Sequence, residues 1–258
     1  MVMSPQQRLA IADPRPDTGG PEARSTLLGR IAAVATATLA SGSVLVTAGM
    51  WPLNAEWMPA FTGLVGLYAV LTYGLWSGRA WSRFTAMGVS IWGLACFLEA
   101  SIFLGVVPLT LTGIALHALV LIFAGLMRSE DFDRRHAFAL VMASAALPSA
   151  LIYGLAPQHD WLTTAGVLGG AGVVVAATAG LGRGKTWGLL AALFGAGLIA
   201  VTIASARQVG WLMHPHPLLP NENPLALLGL GVAAATFAFG AAVPYLGPIV
   251  RFLVREPA

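Results

Sequence analysis

Glu99, His117 and Arg207 are the ionisable residues that stand out at membrane depth within the long apolar stretches of this 258-residue chain, and Thr112 lies in the same region as His117. A charged group inside a hydrocarbon layer is costly, so each is a functional hypothesis by default. A carboxyl, an imidazole, a guanidinium and a hydroxyl together could bind a small solute or form an ion pathway. At 1.5 Å per residue, His117 falls near the middle of its stretch, Glu99 about 6 Å and Arg207 about 12 Å toward the opposite face from most of the arginines. Glu99 and His117 sit on consecutive antiparallel helices, so they touch if both face the same interface. Each also has a plainer use. His117 can hydrogen-bond a carbonyl as a neutral core histidine, Glu99 can make one interhelical hydrogen bond as a neutral acid, and Arg207 can snorkel to headgroups.

A second cluster has coordinating chemistry. Met213, His214 and His216 lie in a proline-rich connection with Pro215, Pro217, Pro220 and Pro224. Thioether and imidazole donors suit copper or zinc, but a site needs three or four of them in place. Only His159, Met50, Met58, Glu56 or Glu222 could complete it, so an ordered surface segment is the reading preferred to a metal site. No phosphate loop, HExxH, CxxC or paired intramembrane carboxylate occurs. Cys96 is the one cysteine, which excludes an intramolecular disulfide. Lys185 is the one lysine and lies in a connection, which excludes a retinal Schiff base. No second histidine matches the depth of His117 for a haem. The expectation is that no cofactor is held.

The elements that must position these groups are apolar runs near 27–50, 57–77, 84–106, 108–127, 137–156, 161–181, 187–211 and 225–250. The chain is 57% hydrophobic and 10% charged, against roughly 25% charged in soluble domains. Each run holds enough residues to cross about 30 Å of hydrocarbon as a helix. The predicted fold class is an all-α integral membrane protein of eight transmembrane helices. Of the fourteen Lys and Arg residues, only Arg207 lies off the side that carries Arg8, Arg15, Arg24, Arg30, Arg79, Arg83, Arg128, Arg134, Arg135, Arg183, Lys185, Arg251 and Arg255. That asymmetry predicts a bacterial-type inner membrane with both termini in the cytoplasm. The basic residues are spread over five short segments, so no nucleic-acid partner is expected. Residues 1–25 are polar and rich in Pro and Gly, and read as a disordered cytoplasmic tail.

An internal repeat is visible. Gly74-Leu75-Trp76-Ser77-Gly78-Arg79-Ala80-Trp81 matches Gly180-Leu181-Gly182-Arg183-Gly184-Lys185-Thr186-Trp187 at a fixed offset. The offset aligns Glu99 with Ser205, and two residues turn a helix by about 200°, so a Glu99–Arg207 pair needs an asymmetric bundle. The stretch GLWSGRAWSRF resembles the glycine–basic–tryptophan turns of many small bacterial four-helix membrane proteins. That resemblance carries no catalytic residue and transfers no function. The expected organisation is repeat 26–128, a cytoplasmic linker 129–136, and repeat 137–253. With four helices per copy, the halves are expected around a pseudo-two-fold along the membrane normal.

In lipid, helices associate through small residues that let backbones approach. Gly188, Ala192, Ala196, Ala200 and Ala204 form such a row in run seven. Gly166 and Gly170 serve run six, and Ala234, Ala238 and Ala242 serve run eight. Run five has Ala146, Ala150 and Gly154 beside Pro148, which removes one backbone donor. The second half is therefore expected to pack more tightly than the first.

The preferred functional reading is a non-catalytic polytopic subunit or accessory scaffold, with the bilayer and other integral membrane subunits or a second copy as partners. A small-solute transporter or channel, with a periplasm-facing cavity lined by Glu99, His117, Thr112 and Arg207, stays open. So does a membrane redox or lipid-modifying enzyme holding quinone or metal near His117.

Overall fold

The computed structural model describes residues 21–50, 55–104, 107–127, 133–157, 159–206 and 225–254. Arg207, Met213, His214 and His216 lie outside the described residues. Among the described residues the chain is helical throughout, with no strand. The helices are α1 (Pro21–Met50), α2 (Met58–Trp76), α3 (Ala80–Leu104), α4 (Pro108–Leu126), α5 (Arg134–Gly154), α6 (Trp161–Gly182), α7 (Thr186–Ser205) and α8 (Leu225–Val254). A short 3-10 turn, Ala55–Trp57, leads into α2. Eight helices are long and apolar enough to cross a membrane. Their outward faces carry Leu, Val, Ile and Phe, as a hydrocarbon surround requires.

Two boundaries differ from expectation. α1 begins at Pro21, inside the stretch assigned to the polar tail, because proline suits a first helical position whose N–H would be unpaired anyway. α5 begins at Arg134, inside the expected linker, with Asp133 as its N-cap.

The second half closes as a ring of four antiparallel neighbours, and the first half forms the same arrangement left open between α2 and α3. α1 packs on α2 and α4, and α3 packs on α4; α5 packs on α6 and α8, and α7 packs on both α6 and α8. Cation contacts tie the basic ends of the first ring together. The Arg30 guanidinium lies 5.6 Å over the Trp76 ring, joining the start of α1 to the end of α2. The Arg83 Nη2 donates to the Gly125 carbonyl at 3.2 Å, giving the negative end of the α4 dipole a positive partner.

The repeated turn is the same structure twice. Among the described residues, Gly78 and Gly184 are the glycines at positive φ, 66° and 62°. In the first copy Arg79 N–H donates to the Gly74 carbonyl at 2.9 Å and Gly78 N–H to the Leu75 carbonyl at 3.2 Å. In the second, Lys185 N–H donates to Gly180 at 2.9 Å and Gly184 N–H to Leu181 at 3.0 Å. Both are Schellman helix ends, in which a left-handed glycine frees two N–H groups to satisfy the last carbonyls. In both, the following tryptophan closes over the first glycine: a Cβ on Gly74 would lie 2.8 Å from the Trp81 ring, and one on Gly180 would lie 2.7 Å from Trp187.

The helices leaving these turns diverge differently. α6 and α7 stay in close contact along their length, while α2 and α3 barely touch. Gly170 and Gly195 face each other so closely that a Cβ on either would lie 2.7 Å from the other's carbonyl oxygen. Between α2 and α3 no such pair exists among the described residues, and α5 packs against both helices instead. Gly88 brings α3 onto the α5 backbone: a Cβ there would overlap the Val141 oxygen and lie 2.9 Å from the Ala145 nitrogen. Gly63 brings α2 against Leu151 and Leu155. α5 can fill this slot because its buried side is Ala139, Ala143, Ser144, Ala146 and Ala150, and it runs helical through Pro148. Every helix of the second half buries more of its span than any helix of the first, α5 most of all.

The halves join through α3 and α5, with α2 contributing at the end away from Arg79 and Arg83. A two-fold would carry the α3–α5 contact onto α7 and α1, yet α7 makes no comparable packing on α1 among the described residues. The pseudo-two-fold placement is therefore not seen, although the local turn is duplicated.

Candidate functional site

His117 is, with Ser82 and Ser149, among the polar residues fully enclosed within the described bundle. Its side chain is 0% exposed, on the face of α4 turned toward α2 and α3. The Tyr68 hydroxyl from α2, itself buried, lies 3.2 Å from His117 Nε2. From α3, the Phe97 ring stands with its centroid 5.7 Å from that of the imidazole. Gly93 leaves the space the imidazole occupies, since any Cβ there would overlap it, and Gly113 on α4 does the same for Phe97.

Polar contacts continue from Tyr68 toward α1. The Thr72 hydroxyl lies 2.8 Å from the Tyr68 carbonyl and 3.0 Å from the Thr36 hydroxyl. Thr36 in turn donates to the Ala33 carbonyl at 2.9 Å. Tyr68 and Thr72 share a helix face because they are one turn apart. The result is two side-chain pairs, Tyr68 with His117 between α2 and α4 and Thr72 with Thr36 between α2 and α1, linked through the Tyr68 backbone carbonyl.

The other expected members lie elsewhere. Glu99 is on the exposed face of α3 and Thr112 on the exposed face of α4. The Glu99–His117 contact is thus absent among the described residues. Phe97 is the residue that α3 presents to His117, and Glu99, two positions on, is rotated by about 200° away from it. Thr110, not Thr112, is the buried threonine of α4. Its Oγ1 accepts from the Val107 N–H at 3.1 Å and donates to the Val107 carbonyl at 2.9 Å, closing the start of the helix.

Of the small-residue row on α7, Gly188, Ala192 and Ala196 are buried, Ala200 is half-buried and Ala204 is exposed. A row of step four drifts by about 40° per step against a period of 3.6 residues. The buried face passes instead to Ile199 and Ile203. Gly166 and Gly170 of α6 meet Thr202 and Gly195 of α7, and Ala234, Ala238 and Ala242 of α8 are buried.

Beyond α5, His159 stacks edge-on against the Tyr153 ring at 4.4 Å, and its N–H donates to the Ala156 carbonyl at 3.0 Å. Partial burial holds its imidazole below the ordinary value of 6.5, with neighbouring Asp160 opposing that shift. The Asp160 carboxylate accepts from the Thr163 N–H at 2.7 Å, an N-cap for α6 that holds its own pKa below the usual carboxylate value. The Thr164 hydroxyl reaches back to the Gly154 carbonyl at 2.7 Å and ties the end of α5 to α6.

No group of three or more His, Cys, Asp or Glu residues stands close enough to hold a metal among the described residues. A cleft of about 460 Å³ opens between α1 and α2, lined by Val44, Thr47, Ala48, Met58, Thr62 and Val65. None of Glu99, His117 or Thr112 lines it.

Sequence reasoning found His117 but missed Tyr68, Thr36 and Thr72. The i, i+4 spacing of Tyr68 and Thr72 was the available signal, since it puts two hydroxyls on one face of an otherwise apolar run. Compared with family models, with curated proteins and with solved structures, the chain matches none. Its class rests on its own architecture, a bundle of eight apolar helices of membrane-crossing length.

Proposed function

We propose that this chain is a non-catalytic, polytopic subunit or accessory protein of the bacterial-type inner membrane, which packs against other membrane proteins. The observation that carries the reading is the disposition of polar groups. His117, Tyr68, Thr72 and Thr36 meet one another in two inter-helix hydrogen bonds, Tyr68 to His117 and Thr72 to Thr36, and His117 Nδ1 is buried without a partner among the described residues. Glu99, the exposed carboxyl within α3, is turned away from these pairs and toward whatever surrounds the bundle. A transport pathway would turn its polar side chains toward a shared cavity, and an enzyme would gather them around a reacting atom.

Orientation follows from charge. With eight crossings both ends of the chain lie on one side, and the basic ends of the helices define it as cytoplasmic. The paired Schellman turns support an internal duplication, and the second half is the more tightly packed.

The test is purification of the full chain from its native membranes in mild detergent. The reading expects stable co-purification of other integral membrane proteins at fixed stoichiometry, retained in a His117→Gln variant that keeps the fold. A chain that purifies alone and catalyses solute flux in liposomes, with flux lost in Glu99→Gln, overturns it.

A further inference from the structure

The outer half of α3 carries an unfilled helix-packing seam. Gly88, Ile91, Ala95, Leu98 and Ile102 are spaced 3, 4, 3 and 4 residues apart, the rhythm of a helix that presents one stripe to a parallel or antiparallel neighbour. At Gly88 this stripe is covered, since the α5 backbone at Val141–Ala145 lies directly upon it. Beyond Gly88, at the end away from Arg79 and Arg83, it is bare. Ile91, Leu98 and Ile102 are exposed, Ile102 at 78%, and Ala95 is exposed with them. At this level α5 does not cover the stripe, and its far end also reaches α2, where Leu151 and Leu155 lie against Gly63.

Glu99 flanks this bare stretch. It stands eleven residues beyond Gly88, about three turns with a rotation near 20°, so it lies on the side that Gly88 gives to α5. In the stripe's repeat it takes the position that pairs with charges across a two-helix seam. No ion pair or hydrogen bond engages its carboxyl among the described residues.

We propose that a transmembrane helix of a partner protein fills this seam, continuing the α3–α5 interface outward, with a Lys or Arg side chain paired to Glu99. The inference deepens the subunit reading above and rests on it. Continuity with a formed helix interface argues for a helix as occupant over lipid. Charge argues for a different protein over a second copy. In a symmetric pairing of two α3 stripes, the positions across from Glu99 are Leu94 and Ser101, neither of which is cationic.

The test places a photoreactive benzoylphenylalanine at Ala95 or Ile102 of the full chain in its native membranes, with Ile122 on the exposed face of α4 as the comparison. The expected result is an adduct at Ala95 and Ile102 whose cross-linked peptide is a transmembrane segment bearing Lys or Arg. Glu99→Lys should lower its yield by about tenfold or more, and changing that basic residue to Glu should restore it. Both variants are checked for unchanged monodispersity in detergent. Adducts to lipid only, to a second copy only, or to a partner whose yield ignores Glu99→Lys overturn the proposal. An adduct confined to Ile122 refutes this seam but leaves the subunit reading standing; no protein adduct at any of the three positions refutes both.

Discussion

Replacing Gly88 by alanine adds one methyl group at the place where the two halves of the bundle meet. That methyl would overlap the Val141 carbonyl oxygen and lie 2.9 Å from the Ala145 nitrogen, where ordinary contact begins at 3.4 Å. Both neighbours are backbone atoms of a helix, so neither can rotate away. The helices themselves must separate, and the α3–α5 contact is the main one holding the halves together. Overpacking of this kind costs about 1–3 kcal/mol. Gly66 on α2 supplies the control, since a Cβ there meets nothing within 4 Å. The same substitution at Gly66 should stabilise by about 0.5–1 kcal/mol, through the better helix propensity of alanine. The two variants should therefore differ by about 2 kcal/mol or more in opposite directions from the parent, which corresponds to roughly 4–8 °C on the scale of folded domains of this size. The assay is heating in mild detergent, followed by size-exclusion chromatography of the surviving monodisperse fraction. Equal melting of Gly88→Ala and Gly66→Ala would refute the close α3–α5 approach and, with it, the account of how the halves are joined.

Three further outcomes follow from the same geometry. Gly78→Ala and Gly184→Ala each force a side chain into left-handed backbone, so each should cost about 1–2 kcal/mol in the same thermal assay; tolerance at one site and not the other would show that the turns are not equivalent. In a double-mutant cycle of Tyr68→Phe and His117→Leu, measured by denaturation in mixed micelles, the coupling should be about 0.6 and at most about 1.7 kcal/mol, and zero coupling would mean the hydroxyl–imidazole bond contributes nothing. His159 has its pKa depressed in the folded state, so the stability it supports is present above its ordinary value of 6.5 and is lost as pH falls through the lower folded value. Thermal melts across that interval should show the loss in the parent and not in His159→Gln, and an unchanged slope in the variant would count against the burial of that ring.

The eight spans were legible because a lipid surround leaves the backbone few options. Each crossing must satisfy its own amides, so apolar length alone marks the helix, and runs such as 108–127 and 161–181 fall within a residue of α4 and α6. The turns were legible too, because G-L-x-x-G-[RK]-x-W places glycine where positive φ is needed. What could not be read was adjacency. Runs that are apolar all round do not state which face meets which neighbour. The sequence therefore pointed His117 at some neighbouring helix, but could not name Tyr68, two helices away along the chain. The direction of Glu99 was unreadable for the same reason: depth was computable from position, but which face it took depended on α3 offering Gly93 and Phe97 to α4. The alanine row of α7 shows the limit in miniature, since counting by fours follows the surface for three residues and then rotates off it.

The position of α5 has a consequence for how the protein is made. Helices emerge from a ribosome in order, and α2 and α3 enter the bilayer before the helix that belongs between them exists. The first four helices therefore wait with an open slot, and assembly of the amino-terminal half completes only when the carboxy-terminal half has begun to be synthesised. A chain halted after α4 would be left as an unfinished intermediate, so the two halves are a single unit of biogenesis despite the sequence echo between them.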